Sequence, residues 1–514
     1  MKYTLSIALL TLIGTQAFSQ VPEDVIRFGW TVPSGTARSQ AIGGAIGALG
    51  GEITNTFVNP AGLGFYKLGE IVMTPGYTLG HSNSTYRDFD ARSSNVNRFN
   101  MSTTGFVTAN SDPGSKWVSK VFSLAVSRTA NFNNSVYYKG TNDYSSFSEQ
   151  FSEEFSAENQ RSGLGINDYY NSNLSLGTKS AIHTYLIDTA TINGQLQVVG
   201  RPEYLNEVLQ ENKITTRGGI TEIAIGYAGN LQDKFYIGGG IGVPIVNYER
   251  KSVFTESDPS NDKTNKFGYS RYEETLKTTG AGLNLKLGAI YKPAYQLRLG
   301  LAIHTPTIYG LKDVVSTKMV TDVENLFNND PVDSVSSDYF GPNPVYRYDF
   351  STPWKFILSG SYVIIGEDAE DVTQQRGFIT ADAEYVTYGS SHFSPADQND
   401  DQSYYDNVNK AVKATYKGAL NVRVGLELKF NTFMVRGGFA HYGNPYQNNP
   451  LKAGITNLST GLGYRDKGIF IDLTYVYSVK QDANFPYRLA DKANTYADVK
   501  SKIGQVLLTF GFKI

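Results

Sequence analysis

The sequence predicts an all-β fold: a transmembrane, up-and-down antiparallel β-barrel of about fourteen strands, with a small N-terminal plug, or hatch, inside it. Three observations predict this. From Leu68 onward, apolar residues alternate with Gly and polar residues at a period of two, the mark of strands with unlike faces. The strand-like runs join in pairs through short turns, and long polar loops separate the pairs. Short turns at one end and long loops at the other describe a membrane barrel, whereas a soluble sandwich with so many long loops is unusual. Finally, Tyr (35) and Gly (51) are abundant while charged residues make up only 18%, which suits aromatic girdles and a crowded wall.

Taken in order, residues 1–19 have the make-up of a secretory signal. Lys2 is its charged start, Leu5 to Ile13 its short apolar centre, and Ala17-Phe18-Ser19 places cleavage near Ser19. The apolar run is too short to span about 30 Å of hydrocarbon as a helix. Residues 20–66 follow as the plug and 67–514 as the barrel. In the plug, Ser34 leads into a Gly/Ala run ending at Gly51, and Asn59-Pro60-Ala61 precedes the first strand. So many Gly and Ala make a poor independent helix but allow close backbone packing. Asn-Pro-Ala taken alone reads as an ordinary turn; its position between the signal segment and the first strand is what marks it.

The strands are expected near 69–83, 96–109, 117–138, 217–230, 234–250, 271–292, 295–309, 346–365, 376–391, 416–430, 432–443, 454–465, 468–480 and 502–514. One run shows the pattern: Leu297, Leu299, Leu301 and Ile303 alternate with Arg298, Gly300, Ala302 and His304. Long loops are expected near 84–94, 140–216, 250–270, 310–346, 392–415, 443–453 and 480–501. An even strand count returns the C-terminus to the short-turn side, where the plug also begins. In the last strand Phe510, Phe512 and Ile514 share a face. That row resembles the C-terminal signal read by barrel assembly machinery, although such signals usually end in Phe or Trp. In the longest loop Phe147, Phe151 and Phe155 recur every four residues, as on one face of a helix. Residues 202–213, with Leu205, Val208 and Leu209, offer a second helical stretch. These faces either pack on the loop itself or form a groove where an apolar ligand lands.

The plug and barrel together resemble the FadL/TodX family of outer-membrane transporters of hydrophobic compounds. The resemblance rests on Pro33-Ser34-Gly35-Thr36-Ala37-Arg38, the Gly/Ala run, Asn59-Pro60-Ala61 as the hatch motif, and the hairpin from Leu287 to Pro293 with its partner through Thr307. It implies an outer-membrane location in a Gram-negative-type envelope. It also implies passive uptake of long-chain fatty acids or aromatic hydrocarbons, with a kink in the third strand that opens the wall sideways. Asn131, Asn133 and Asn134 are the candidates for that kink, since Asn is a poor strand former; the same residues also read as the strand's outer end. Some relatives are thought instead to act as shuttles or scaffolds for secreted proteins or lipopolysaccharide.

A carboxylate-bearing substrate calls for one cation. Arg298, Arg423 and Arg436 fall on expected lumen faces, and Arg38 lies in the plug. Glu222, Asp382, Glu384, Glu427 and Asp472 face inward by the same alternation, and buried charges must be paired, so each Arg is either a ligand contact or a structural partner. The expected partners are hydrophobic small molecules, outer-membrane lipids and lipopolysaccharide, and barrel assembly machinery. Other classes fit poorly. The absence of cysteine excludes disulfides and thiolate metal sites, and a formal charge of −2 gives no case for nucleic acid. None of the five histidines sits in a nucleophile motif, so no enzyme is expected. The acidic run Asp397 to Asp401 fixes no coordination shell, and the glycines at 43–51 lack the Lys of a phosphate loop. No metal or cofactor is therefore expected.

Overall fold

In a computed structural model, the structure describes residues 23–87, 89–192, 194–326, 332–365, 375–397, 402–447 and 453–514. The expected signal segment, residues 20–22 of the plug and most of the acidic run at 397–401 lie outside the described residues. A single antiparallel sheet closes on itself as a fourteen-stranded barrel. Its wall strands are β1 (Glu70–Tyr86), β2 (Arg92–Ser111), β3 (Trp117–Asn131, resuming at Asn134–Asn142), β4 (Val208–Leu231), β5 (Phe235–Ser257), β6 (Tyr269–Tyr291) and β7 (Leu297–His304, resuming at Ile308–Asp322). The remainder are β8 (Val345–Ser351, resuming at Lys355–Ile365), β9 (Gln375–Thr387, resuming at His392–Pro395), β10 (Gly418–Phe430), β11 (Phe433–Tyr442), β12 (Ile455–Asp466), β13 (Ile469–Asn484) and β14 (Ala497–Lys513). The seam closes by pairing of β1 with β14 from Glu70↔Lys513 to Tyr86↔Ala497.

The period-two pattern sorts side chains as expected. On β5, Phe235, Ile237, Ile241, Val243 and Ile245 point outward and are exposed, while Tyr236, Val246 and Tyr248 are buried inside. Ten residue steps at about 3.3 Å, tilted about 40°, lift this apolar row about 25 Å, the height of a bilayer core. Aromatic rings mark the short-turn end of the belt: Tyr227, Tyr362, Phe430 and Phe512 are exposed there, and Phe235 stacks on Tyr291 at 4.7 Å.

Two expectations are corrected. Residues 202–213 are not a helix: only Arg201–Tyr204 forms a 3-10 turn, and β4 begins at Val208. Tertiary pairing wins there, because residues 208–216 are sandwiched between Asn134–Asn142 and the upper part of β5. The loops expected from 250 and from 310 begin later, since β5 runs to Ser257 and β7 to Asp322. Both strands leave the bilayer belt there, so their outer faces turn polar and the alternation fades.

After the plug helices α1 (Asp24–Gly29) and α2 (Ala37–Ala41), the loop between β3 and β4 carries α3 (Glu149–Ser162) and α4 (Leu176–His183) above the wall. Phe151 and Phe155 on α3, with Phe147 just before it, bury against Phe254, Met319 and Tyr487. The loop between β9 and β10 carries a further amphipathic helix, Gln402–Thr415, whose Tyr404, Tyr405, Val408 and Val412 turn inward.

Candidate functional site

The plug fills the lumen from the short-turn end. It consists of a short helix Asp24–Gly29, a second helix Ala37–Ala41 capped by Thr36, and 3-10 turns at Ile53–Thr56 and Pro60–Phe65. The Thr36 hydroxyl accepts from Ser39 N–H at 3.2 Å and donates to Glu52 at 2.8 Å. Inward-facing wall glycines make room for plug backbone. A Cβ at Gly238 would stand 2.5 Å from the Pro60 carbonyl carbon, one at Gly425 2.5 Å from Ile42 O, and one at Gly288 would land on Asn59 Oδ1. The glycines that alternate with apolar residues along the wall are thus, at these positions, the imprint of the plug.

Asn59 is fully buried and bonded at both ends of its amide. Nδ2 donates to Gly47 O at 2.6 Å, and Oδ1 accepts from Ala61 N–H at 3.2 Å. Pro60 supplies a fixed φ at the start of the turn and has no N–H to satisfy. His304 Nε2 donates to Val58 O at 2.8 Å, so the β7 wall grips the residue just before the hatch motif.

Three of the four candidate arginines are engaged with carboxylates. Arg436 bridges Glu427 and Asp472, each at 2.6 Å; Arg38 donates to Glu427 at 3.1 Å; Arg423 donates to Glu384 at 3.2 Å and lies 3.8 Å from Asp382. Asp382 in turn accepts from Gly47 N–H at 3.1 Å. Burial pulls the Arg38 guanidinium down, but Glu427 and Glu52 outweigh it and hold it above its ordinary value. Arg298 stands apart at the short-turn end: it makes no ion pair among the described residues and lies 4.6 Å over the Phe65 ring, which stacks at 3.8 Å on Tyr236.

A chain of compartments runs through the lumen. Beneath α3 and α4 is a cavity of about 370 Å³ lined by Phe147, Phe151, Phe254, Tyr272, Leu276 and Phe485, with Arg250 among them. Arg250 is ion-paired to Glu274, and its Nε–H is buried without a partner. A polar lattice pins the lid. Glu256 accepts from Ser146 Oγ at 2.7 Å and Phe147 N–H at 3.0 Å, and Gln210 links Glu256 at 2.7 Å to the Tyr487 hydroxyl at 2.9 Å. Burial, reinforced by Glu256, pushes the Tyr487 phenol up. Below the cavity lies an aromatic core in which Phe28 of the plug meets Phe132, Tyr248 and Phe350. Below that, a cavity of about 40 Å³, room for about one water, is lined by Lys286, Lys355, Glu222, Glu384 and His304.

The third strand is interrupted at Phe132–Asn133. Asn133 folds back on Asn131, its backbone N–H at 3.1 Å and its Nδ2 at 2.7 Å from Asn131 Oδ1, while the Asn134 side chain accepts from Ser82 at 3.2 Å. Ladder pairing of β2 with β3 stops at Thr103↔Ser127, so among the described residues β2 from 92 to 102 has no strand partner on that side, although Ser94 Oγ meets Ser135 Oγ at 2.5 Å. Asn100 Oδ1, Ser102 Oγ and Arg128 Nε around this split are buried and make no hydrogen bond among the described residues. Phe510, Phe512 and Ile514 all point outward at the end of β14.

Sequence reasoning offered an apolar groove at the Phe147-Phe151-Phe155 face but not the wall residues that complete the upper cavity. Its lining residues come from eight separated segments of the chain, and Arg250 falls where the alternation fades. The Phe147-Phe151-Phe155 spacing was the one trace of it.

Comparison with solved structures finds the same fold at low identity. The chain is similar to a Pseudomonas aeruginosa FadL homologue (13% identity, 94% of this chain and 99% of that one, TM-score 0.53). It is also similar to the Pseudomonas putida toluene transporter TodX (12% identity, 94% and 99% covered, TM-score 0.50). No family model and no curated protein sequence matches the chain significantly. The likeness is one of fold.

Proposed function

We propose that this plugged barrel is an outer-membrane channel for passive uptake of hydrophobic compounds, with long-chain fatty acids or aromatic hydrocarbons as the candidate substrates. The observation that carries the reading is the aromatic cavity of about 370 Å³ beneath the outer lid, a size and lining typical of small-ligand sites. Polar outer layers stall an apolar solute, and the aromatic side chains of this cavity offer it a surface to pack against. Each buried methylene contributes about 0.8 kcal/mol, so eight supply about 6 kcal/mol before ordering costs. Arg250, with a donor to spare, favours a carboxylate at one end of the ligand.

The onward route is closed in this conformation by Phe28 and its aromatic neighbours. Passage therefore requires a second packing of the plug arm. The split between β2 and the interrupted third strand at Asn131, Asn133 and Asn134 is proposed as the lateral exit from the lumen, and Asn59-Pro60-Ala61 as the hatch lock. Arg298, free of carboxylates, is proposed as a substrate contact at the periplasmic end, while Arg38, Arg423 and Arg436 anchor the plug. The outward row Phe510, Phe512 and Ile514 is proposed as the assembly signal. No energy source is needed beyond a gradient.

The test is ligand binding to purified barrel exchanged into a short-chain detergent and read by native mass spectrometry. A panel of fatty acids and aromatic hydrocarbons is set in competition. Saturable binding that the Arg250→Gln variant weakens for fatty acids but not for hydrocarbons supports the assignment. No binding, together with a retained envelope protein or lipopolysaccharide, supports a shuttle or scaffold instead, a reading that the closed lumen favours.

A further inference from the structure

The outer face of the wall changes character abruptly above the apolar belt on β4 to β8. On β7 the exposed row runs Leu299, Leu301, Ile303, Ile308, then Gly310 and Lys312. Lys312 is paired in register with Arg347 of β8, and both are exposed on the same outer face. Like charges set directly opposite each other in adjacent strands repel. On the other side of Lys312 its partner is the neutral Thr279, with Lys277 two residues further up the same face of β6. Lys277 shares Glu249 with Arg217: it pairs with that carboxylate at 3.6 Å, and Arg217 stands opposite it in register. The face therefore sets Arg217, Lys277, Lys312 and Arg347 against Glu249 and Asp349. Asp349 sits one row nearer the belt, opposite Gly310. Arg217, Lys312 and Arg347 make no ion pair among the described residues.

We infer that this outward cationic cluster is a docking site for the phosphorylated headgroup of an outer-leaflet glycolipid whose acyl chains lie along the belt below it. Position and charge together carry the assignment. The cluster stands two to three same-face steps above the last apolar row, the depth at which headgroup phosphates meet a barrel. The wall supplies too few carboxylates to offset its cations, so an anion from outside completes the pairing. Arg347 offers a planar fork for phosphate and Lys312 a point charge beside it. The inference rests on the wall lying in a bilayer and not on the uptake reading, so either stands without the other.

The experiment is native mass spectrometry of the full chain, with bis-phosphorylated lipid A and its enzymatically dephosphorylated form as probes. The variants are Lys312→Gln/Arg347→Gln and, for the same charge change away from the wall, Lys410→Gln/Lys413→Gln on the loop helix. A heat-modifiable gel shift checks that each barrel is folded. The expected result is a loss of apparent affinity for the phosphorylated probe of about tenfold or more in the wall variant, and less than about twofold in the loop variant. The dephosphorylated probe binds weakly throughout. Equal binding of both probes by the wild-type chain, or an unchanged affinity in a folded Lys312→Gln/Arg347→Gln barrel, overturns the inference.

Discussion

Replacing Phe28 by Ala should release the plug arm without unfolding the barrel. Phe28 is fully buried, with ring centroids 6.2 Å from Phe132, 6.4 Å from Tyr248 and 6.2 Å from Phe350, all edge-on. Truncating a core Phe to Ala costs about 3–5 kcal/mol. The arm is also held by buried Val25, by Trp30 against Tyr388 and Tyr442 at 6.0 and 6.2 Å, by Arg27 over the Tyr248 ring at 4.7 Å, and by the Arg488–Glu23 pair at 2.6 Å. Val32 and Ser34 N–H donate to Thr129 O and Arg128 O at 2.8 Å, and Lys355 Nζ donates to Thr31 Oγ1 at 2.7 Å. A loss of about 3 kcal/mol raises the undocked population roughly 150-fold. Hydrogen exchange reads that population directly in the amides it frees. Val32 and Ser34 should exchange about 100-fold faster or more, while Gly47, held by Asp382 at 3.1 Å, and Gly62, held by Asn59 O at 2.9 Å, should change by less than about threefold. Unaltered protection at Val32 and Ser34, or an equal loss at all four amides, would refute the claim that the arm is a separately docked unit.

Four further outcomes are expected. Gly288→Val places a side chain on Asn59 Oδ1 and should leave a heat-modifiable barrel whose plug is open to added protease and which passes ions in a planar bilayer; wild-type protection would count against the close-packing argument. Arg250→Gln should weaken fatty-acid binding about tenfold, in line with about 1.5–3 kcal/mol for a hydrogen bond to a charged group, and leave hydrocarbon binding within twofold or so. Arg436→Gln leaves Glu427 with Arg38 alone and Asp472 with only the distant Arg465 at 3.9 Å, and should lower thermal stability by about 3 kcal/mol, as should Arg436→Lys, which cannot bridge both; a melting curve like that of the wild type would show the pairing to be dispensable. Arg298→Ala should reduce fatty-acid affinity with stability changed by less than about 1 kcal/mol, whereas Arg423→Ala should destabilise the plug; affinity unaffected by Arg298→Ala removes Arg298 from the route.

The wall was legible wherever one face meets lipid and the other meets the plug. In Phe235 to Ile245 and in Leu297 to His304, outward Leu and Ile against inward Gly and Arg set both the strand and its register. Above the belt both faces are polar, so the strand from Lys312 to Asp322 and the upper part of β5 gave no alternation to read. Leu205, Val208 and Leu209 carry a helical spacing by chance of sequence, and it is pairing on both edges that makes residues 208–213 a strand. The inward charges Glu222, Asp382, Glu384, Glu427 and Asp472 were assigned to the lumen correctly, but which Arg each would meet depends on strand order and plug position. Arg38 and Glu427 lie 389 residues apart. The wall side of the upper cavity was beyond reach for the same reason, since no local pattern announces that Phe147, Phe254, Tyr272 and Phe485 converge.

One contact bears on how such a molecule is made. Thr509 accepts from Ala37 N–H of the plug at 2.8 Å and meets Thr74 across the β1–β14 seam, also at 2.8 Å, while Thr474 donates to Ala37 O at 2.6 Å. The second plug helix is therefore fastened to the strands that close the cylinder. Ala37 and Thr509 are 472 residues apart, so this is among the last contacts available to a growing chain, and pairing at such separation is slow. Closure entropy rises only as the logarithm of that separation, so the difficulty is one of search rather than of final stability. The plug acts as a mandrel: the last staves have something to be drawn against, and a cylinder that closed before its plug was seated would have to open along the same line to admit it.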